Sequence, residues 1–169
     1  LKKDFICYCV GIENSEDLVE AKKVAKELNF KLKTKLFTLE EAKSILKETT
    51  KTLGEADVMK VGVASVIYAA MQLAKEDNIK YFFTGLGSEE IFAGYQRHEL
   101  SQDINKECWQ GLCAMYERDI ERDLKIAAKF KAKVLVPFLD RELIINAMNL
   151  PAEQKIKDGQ NKCILREIA

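Results

Sequence analysis

The segment with the residue types to do chemistry is Phe82-Phe83-Thr84-Gly85-Leu86-Gly87-Ser88-Glu89-Glu90-Ile91-Phe92-Ala93-Gly94-Tyr95. An apolar run is stopped by two glycines one residue apart, and two carboxylates follow at once. Glycine at 85 and 87 permits a tight turn with exposed backbone donors at the C-terminal end of a strand, where open parallel sheets bind ligands. Such a turn can hold a nucleotide, and an adjacent carboxylate can coordinate the magnesium that accompanies its phosphates. The lysine of GxxxxGK[ST] is missing, so a phosphate loop of that type does not fit. On residue types alone, a structural glycine turn followed by ordinary helix-start acids satisfies the same pattern.

The elements that must position this turn read as an α/β chain. Residues 4–11 are aromatic and β-branched up to a glycine and predict a buried strand. Leu18, Ala21, Val24, Ala25 and Leu28 recur at helical spacing and predict a helix over 16–29. Residues 30–37 alternate with period two and predict a second strand, after which Thr38 and Glu41 form a capping box that opens another helix. Gly54-Glu55-Ala56-Asp57 interrupts the helices. Ala64, Ile67, Tyr68, Met71 and Ala74 then make a close-packed stripe over 61–76, and 80–83 reads as a short buried strand before the glycines. In 107–130 the predicted core face is Leu112, Met115, Ile120, Leu124 and Ala127. The charged run 117–123 reads first as a surface salt-bridge network, with a channel-lining or partner role as the alternative. Residues 134–140 form an apolar segment extended at its start before Pro137, and a helix over 141–148 and a basic C-terminal segment complete the chain. Without a repeat or low-complexity linker, one α/β domain over 1–169 with a helical second half is the economical architecture.

Composition narrows the function classes. The chain has 169 residues, of which 47% are hydrophobic, and its 27 Lys+Arg balance 27 Asp+Glu. That argues against nonspecific nucleic-acid binding through a strongly basic surface, since backbone affinity comes from cations neutralising phosphates, and leaves local patches open. No run approaches a span of apolar residues, and no leader pattern precedes one, so a membrane role is not expected and a cytoplasmic location is. Cys7, Cys9, Cys108, Cys113 and Cys163 fit neither a CxxC pair nor zinc spacing, and His98 is the one histidine. Unpaired cysteines in a reducing compartment are the expectation.

The Phe82–Tyr95 segment resembles the GEGxDE(L/I)FGGY motif of the asparagine synthetase synthase-domain family, within the ATP-pyrophosphatase (PP-loop) class. Two further matches follow in order: Val136-Pro137-Phe138-Leu139-Asp140 with Ala147-Met148 and Pro151 resembles RVPFLD…AM…P, and Lys162-Cys163-Ile164-Leu165-Arg166 resembles K-x-x-L-R. Asn14 to Leu18, with Ala21 and Val24-Ala25, is similar to the helix after the family's second strand. The resemblance implies a doubly wound parallel sheet of the adenine-nucleotide alpha hydrolase-like (PP-loop) type that binds ATP and Mg²⁺. It also implies activation of a carboxylate as its acyl-adenylate, with pyrophosphate release and transfer to an amine or ammonia. Thr84, Gly85, Leu86 and Gly87 would line the nucleotide pocket, Glu89 stands where the motif carries its metal-associated aspartate, and Glu90 follows as the motif's glutamate. Lys162 would stabilise negative charge on the transferring phosphoryl group, with Arg166 supporting the same surface. Asp140 is expected to fix a local turn rather than take part in chemistry.

Three departures bound the carry-over. The family's SGGxDS phosphate loop does not occur in these residues, and the expectation is that the first strand, phosphate loop and first helix lie upstream of Leu1. Leu86 replaces the glutamate between the glycines; a hydrophobe cannot relay a proton or hold an ammonium nucleophile, so asparagine is not the implied product. Lys133 and Leu135 stand where the family has Glu and Arg before PFLD. A small-molecule substrate, a separate ammonia or amide donor protein and a homodimer are the partners admitted. The competing readings are a nucleotide-binding regulatory protein without catalysis and a tRNA-modifying PP-loop relative.

Overall fold

The computed structural model describes residues 4–168. In chain order the elements are β1 (Ile6–Gly11), α1 (Glu16–Glu27), β2 (Lys31–Leu36), α2 (Leu39–Leu53), α3 (Val58–Lys75), β3 (Tyr81–Phe83), α4 (Ser88–Ile91), α5 (Gln96–Glu99), α6 (Ile104–Cys113), a π-helical turn (Tyr116–Ile120), α7 (Glu121–Lys129), β4 (Lys133–Leu135), a 3-10 turn (Pro137–Leu139), α8 (Arg141–Met148), α9 (Ala152–Lys155), β5 (Ile156–Lys157), β6 (Gln160–Asn161) and α10 (Cys163–Ile168). The class is mixed α/β. Among the described residues the strands form three two-stranded sheets, β1 with β2, β3 with β4 and β5 with β6. The chain clusters into two compact units, one running up to Tyr81 and including Arg122–Lys133, the other comprising Phe82–Glu121 and the chain from Val134 onward.

In the first unit β1 and β2 pair in parallel, Ile6 opposite Lys31 through Gly11 opposite Leu36, with α1 as the crossover between them. The boundaries follow local chemistry. Thr38 accepts from the Glu41 N–H at 3.2 Å while the Glu41 carboxylate accepts from the Thr38 N–H at 2.8 Å, so the predicted capping box starts α2. Gly54 at φ 75 ends α2 in the left-handed region open to glycine, and the Asp57 carboxylate accepts from the Lys60 N–H at 2.8 Å to start α3.

The unit's core is the predicted stripe of α3, where Ala64, Tyr68, Met71 and Ala74 are buried with Leu18, Ile45, Leu53 and Ile126. Tyr68 and Phe130 meet edge to face at 4.8 Å. α3 is also long and apolar enough by composition to cross a membrane, and 44% of it is buried inside the structure, as in a core helix.

The two strands predicted as buried are not: Phe5 is 49% exposed, and Tyr81 and Phe83 are 60% and 74% exposed. β1 pairs with one neighbour, β2, and β3 with one neighbour, β4, so each keeps an edge uncovered among the described residues.

The second unit packs Ile91, Phe92 and Ala147 into a cluster flanked by Leu112, Phe138, Leu143, Ile144, Met148, Ile164 and Leu165. All three motif segments thus contribute to one core. Asp140 fixes its turn as expected, accepting from Glu142 N–H at 3.0 Å and Leu143 N–H at 3.1 Å to cap α8.

Lys155 is fully buried in this unit and its Nζ has no hydrogen-bond partner among the described residues. Burial holds its ammonium below the ordinary lysine value, with the neighbouring Cys108 acting weakly the other way. A depressed lysine binds its proton more tightly in the unfolded chain, so folding stability rises as pH climbs through the folded value towards the ordinary one. Lys155→Met is therefore expected to stabilise the fold by about 1–2 kcal/mol near neutral pH and to flatten that alkaline rise. Urea denaturation of both proteins at about pH 7 and about pH 10 reads the two effects.

Candidate functional site

The site is built where β3 ends. Thr84 N–H donates to Leu135 O at 3.1 Å, and the chain then turns through Gly85, Leu86 and Gly87. Gly87 takes φ 95, which an L side chain adopts only with strain, and a Cβ there would lie 2.5 Å from Leu139 Cδ2. Gly85 has open space where a Cβ would stand, so its backbone is approachable from that side. The turn delivers the chain into the single helical turn α4, which buries Ser88 and Glu90 and leaves Glu89 partly exposed.

Glu89 and Lys162, far apart in sequence, are ion-paired. The floor beneath them is Gly94: a Cβ at that position would overlap Glu89 Oε2 and stand 2.5 Å from Lys162 Cε and 2.9 Å from Glu89 Cδ. Glycine before Tyr95 thus makes room for two side chains that cross its Cα, and its own φ does not call for it. Lys162 itself has φ 56, so its stem is launched from a left-handed residue between β6 and α10. Asn161 Nδ2 donates to Gly94 O at 3.3 Å and ties the two segments together.

Glu90 goes the other way. Its side chain is 2% exposed and is ion-paired with Arg118 of the π-helical turn. Arg118 Nε also donates to Asp119 Oδ2 at 2.6 Å, and its guanidinium lies 5.8 Å from the Tyr95 ring centroid, with Arg97 at 4.1 Å from the same ring. Burial, and then the Glu90 charge, push the Tyr95 hydroxyl up to about 12. Gly111 on α6 leaves room for this cluster, since a Cβ there would stand 3.0 Å from Arg97 Nη2 and 3.4 Å from Glu90 Cγ.

The predicted residues are thus partly assembled. The Thr84–Gly87 turn, Glu89 and Lys162 are parts of one arrangement, and Glu90 is drawn behind it by Arg118. Arg166 is elsewhere: its Nε donates to Asn161 O at 2.9 Å, and it lines a cleft of about 400 Å³ with Lys157, Asp158, Gln160, Cys163 and Glu167. The run 117–123 differs from a surface network, because Arg122 and Asp123 are 7% and 3% exposed and pair at 2.7 Å. Sequence reading missed Arg118 and Gly94 as site residues; the dense charge run and the glycine inside the motif were the signals that pointed to them.

On the turn, the buried Thr84 Oγ1 has no hydrogen-bond partner among the described residues, while Glu89 Oε2 meets the Lys162 ammonium as its ion-pair partner. No group of three or more His, Cys, Asp or Glu side chains converges among the described residues. Magnesium is held by one or two carboxylates plus substrate phosphates rather than by a protein cage, so a single partly exposed carboxylate beside an open turn fits Mg²⁺ arriving with a nucleotide.

The family model described as asparagine synthase matches residues 1–110 and 100–169. The putative glutamine-hydrolysing asparagine synthetase 1 of Methanocaldococcus jannaschii is 36% identical over 165 residues, covering 94% of this chain and 30% of that protein. The probable glutamine-hydrolysing asparagine synthetase of Dictyostelium discoideum is 31% identical over 159 residues, 92% of this chain and 28% of that protein. For the Brassica oleracea asparagine synthetase the identity is 29% over 152 residues, 88% and 26% respectively. The chain therefore spans less than a third of the length of these relatives. With the family model matching residues 1–110 and 100–169 and a relative 36% identical over 94% of this chain, this chain belongs to the asparagine synthase family.

Proposed function

We propose that residues 84–90 with Lys162 form the ATP- and magnesium-handling face of an amide-forming, ATP-dependent ligase. The observation that carries this reading is the meeting of Glu89 and Lys162 on the bare Cα of Gly94. The Thr84–Gly87 turn supplies an approachable backbone for the nucleotide, Glu89 holds the cation that accompanies its phosphates, and Lys162 places a compact ammonium where phosphoryl charge develops. Bound magnesium supplies charge neutralisation on the phosphate oxygens. Glu90, buried against Arg118, fixes α4 and so the direction in which Glu89 projects. The chemistry assigned to the whole is activation of a carboxylate as its adenylate with release of pyrophosphate, then transfer to an amine or ammonia from a separate donor in the cytoplasm. The parallel β1–α1–β2 crossover is the repeating step of a doubly wound sheet, which is the finer fold this reading carries.

Isothermal titration of the full-length product with Mg-ATP, followed by a pyrophosphate-release screen over carboxylate and amine pairs, tests the proposal. Glu89→Ala is expected to weaken magnesium-dependent ATP binding tenfold or more, about the loss of one charge-assisted contact. Unchanged magnesium dependence would remove Glu89 from the site, and absence of both binding and turnover would sink the enzymatic reading. Leu86 favours a second reading, nucleotide binding without catalysis, because it offers no group to move a proton. ATP binding with no pyrophosphate release across the screen selects it.

A further inference from the structure

Glu89 and Lys162 are the two charges that a magnesium nucleotide calls upon, and in the structure they are spent on each other. Glu89 Oε2 is the atom that meets the Lys162 ammonium, so that ammonium is what balances the carboxylate. The other nearby cations are engaged: Arg118 with Glu90 and Asp119, and Arg97 with Glu107 at 3.2 Å. The pair is not sealed, since the Glu89 and Lys162 side chains keep 35% and 23% of their exposure. An ammonium has three donors and no acceptor, and it is repelled by any cation that takes the same carboxylate.

We propose that Lys162 is the built-in counter-ion of Glu89, that a divalent cation displaces it from the carboxylate, and that the ammonium so released becomes the ligand of the polyphosphate. One ion pair is thereby exchanged for two, and metal and phosphate loading are coupled through a single lysine. The left-handed backbone at Lys162 and the absence of a side chain at Gly94 set the geometry of this exchange: the stem crosses the bare Cα of the glycine. The inference rests on the nucleotide reading of the site, and it gives Lys162 opposite effects on the two halves of the ligand.

Manganese alone and inorganic pyrophosphate are the probes, with free Mn²⁺ read by electron paramagnetic resonance. Lys162→Met is expected to bind Mn²⁺ about two- to fivefold more tightly than the parent, the worth of a partly exposed ion pair. In saturating Mn²⁺ the same variant should bind pyrophosphate about tenfold more weakly. Lys162→Arg keeps the cation and should hold Mn²⁺ within about twofold of the parent. In the unaltered chain, acetylation of the Lys162 amine, followed by peptide mass spectrometry, should speed up when Mn²⁺ is added and slow again with pyrophosphate. Mn²⁺ affinity that is unchanged or lower in Lys162→Met, or labelling indifferent to Mn²⁺, overturns the exchange while leaving the site reading in place. If Glu89→Gln binds Mn²⁺ and pyrophosphate as the parent does, the site reading itself fails.

Discussion

Arg118→Met is expected to cost the fold about 3 kcal/mol in urea denaturation, because it strands the Glu90 carboxylate where water does not reach. The Glu90 side chain is 2% exposed and ion-paired with Arg118. The estimate sits at the lower end of what breaking a buried pair costs, since Arg118 itself keeps 35% exposure and solvent can relax around the gap. Two companions separate this cause from lost packing. Arg118→Lys keeps a cation and should recover part of the loss, and Glu90→Gln placed in the Arg118→Met background should recover about 1 kcal/mol or more by removing the stranded charge. A loss below about 0.5 kcal/mol, the range of ordinary surface changes, would mean that the pair does not hold α4.

Gly94→Ala should lower magnesium-dependent ATP affinity tenfold or more while leaving most of the fold's stability intact, an effect of misplacement by about one ångström. The added methyl would occupy the space of Glu89 Oε2 and press on Lys162 Cε. Both side chains can swing outward, which spares the fold and spoils the site. Glu89→Asp in the same background withdraws the carboxylate by one methylene and should restore part of the affinity. Calorimetric titration of the single and double variants reads both effects; equal affinity of Gly94→Ala and parent would show that the floor under the pair is not restrictive.

What the sequence made legible was local. The Thr38–Glu41 box spans three residues, Gly54 acts on its own helix end and Asp140 caps the two residues after Arg141, so each element boundary could be read from neighbours. The motif turn was legible for the same reason. Partners separated by long stretches of chain were not: nothing in residues 88–91 announces Arg118, and Lys162 could be attached to Glu89 only through the resemblance. Leu124 shows a further failure. It was read into the core face of 107–130 because apolar periodicity counts charges as outward, yet Leu124 is 48% exposed while Arg122 and Asp123 are buried as a pair. Likewise β1 and β3 read as buried from composition, whereas burial depends on how many neighbours a strand has.

The pairing of charges around the site also governs how a ligand would find it. Glu89 is paired with Lys162, Glu107 with Arg97, and Glu90 and Asp119 share Arg118, on a chain whose formal net charge is zero. Paired charges project little field beyond a Debye length, so an approaching anion is neither drawn in nor turned away until it touches the turn. Recognition at this surface is a short-range event, set by collision and by the exchange of contacts rather than by electrostatic guidance from afar.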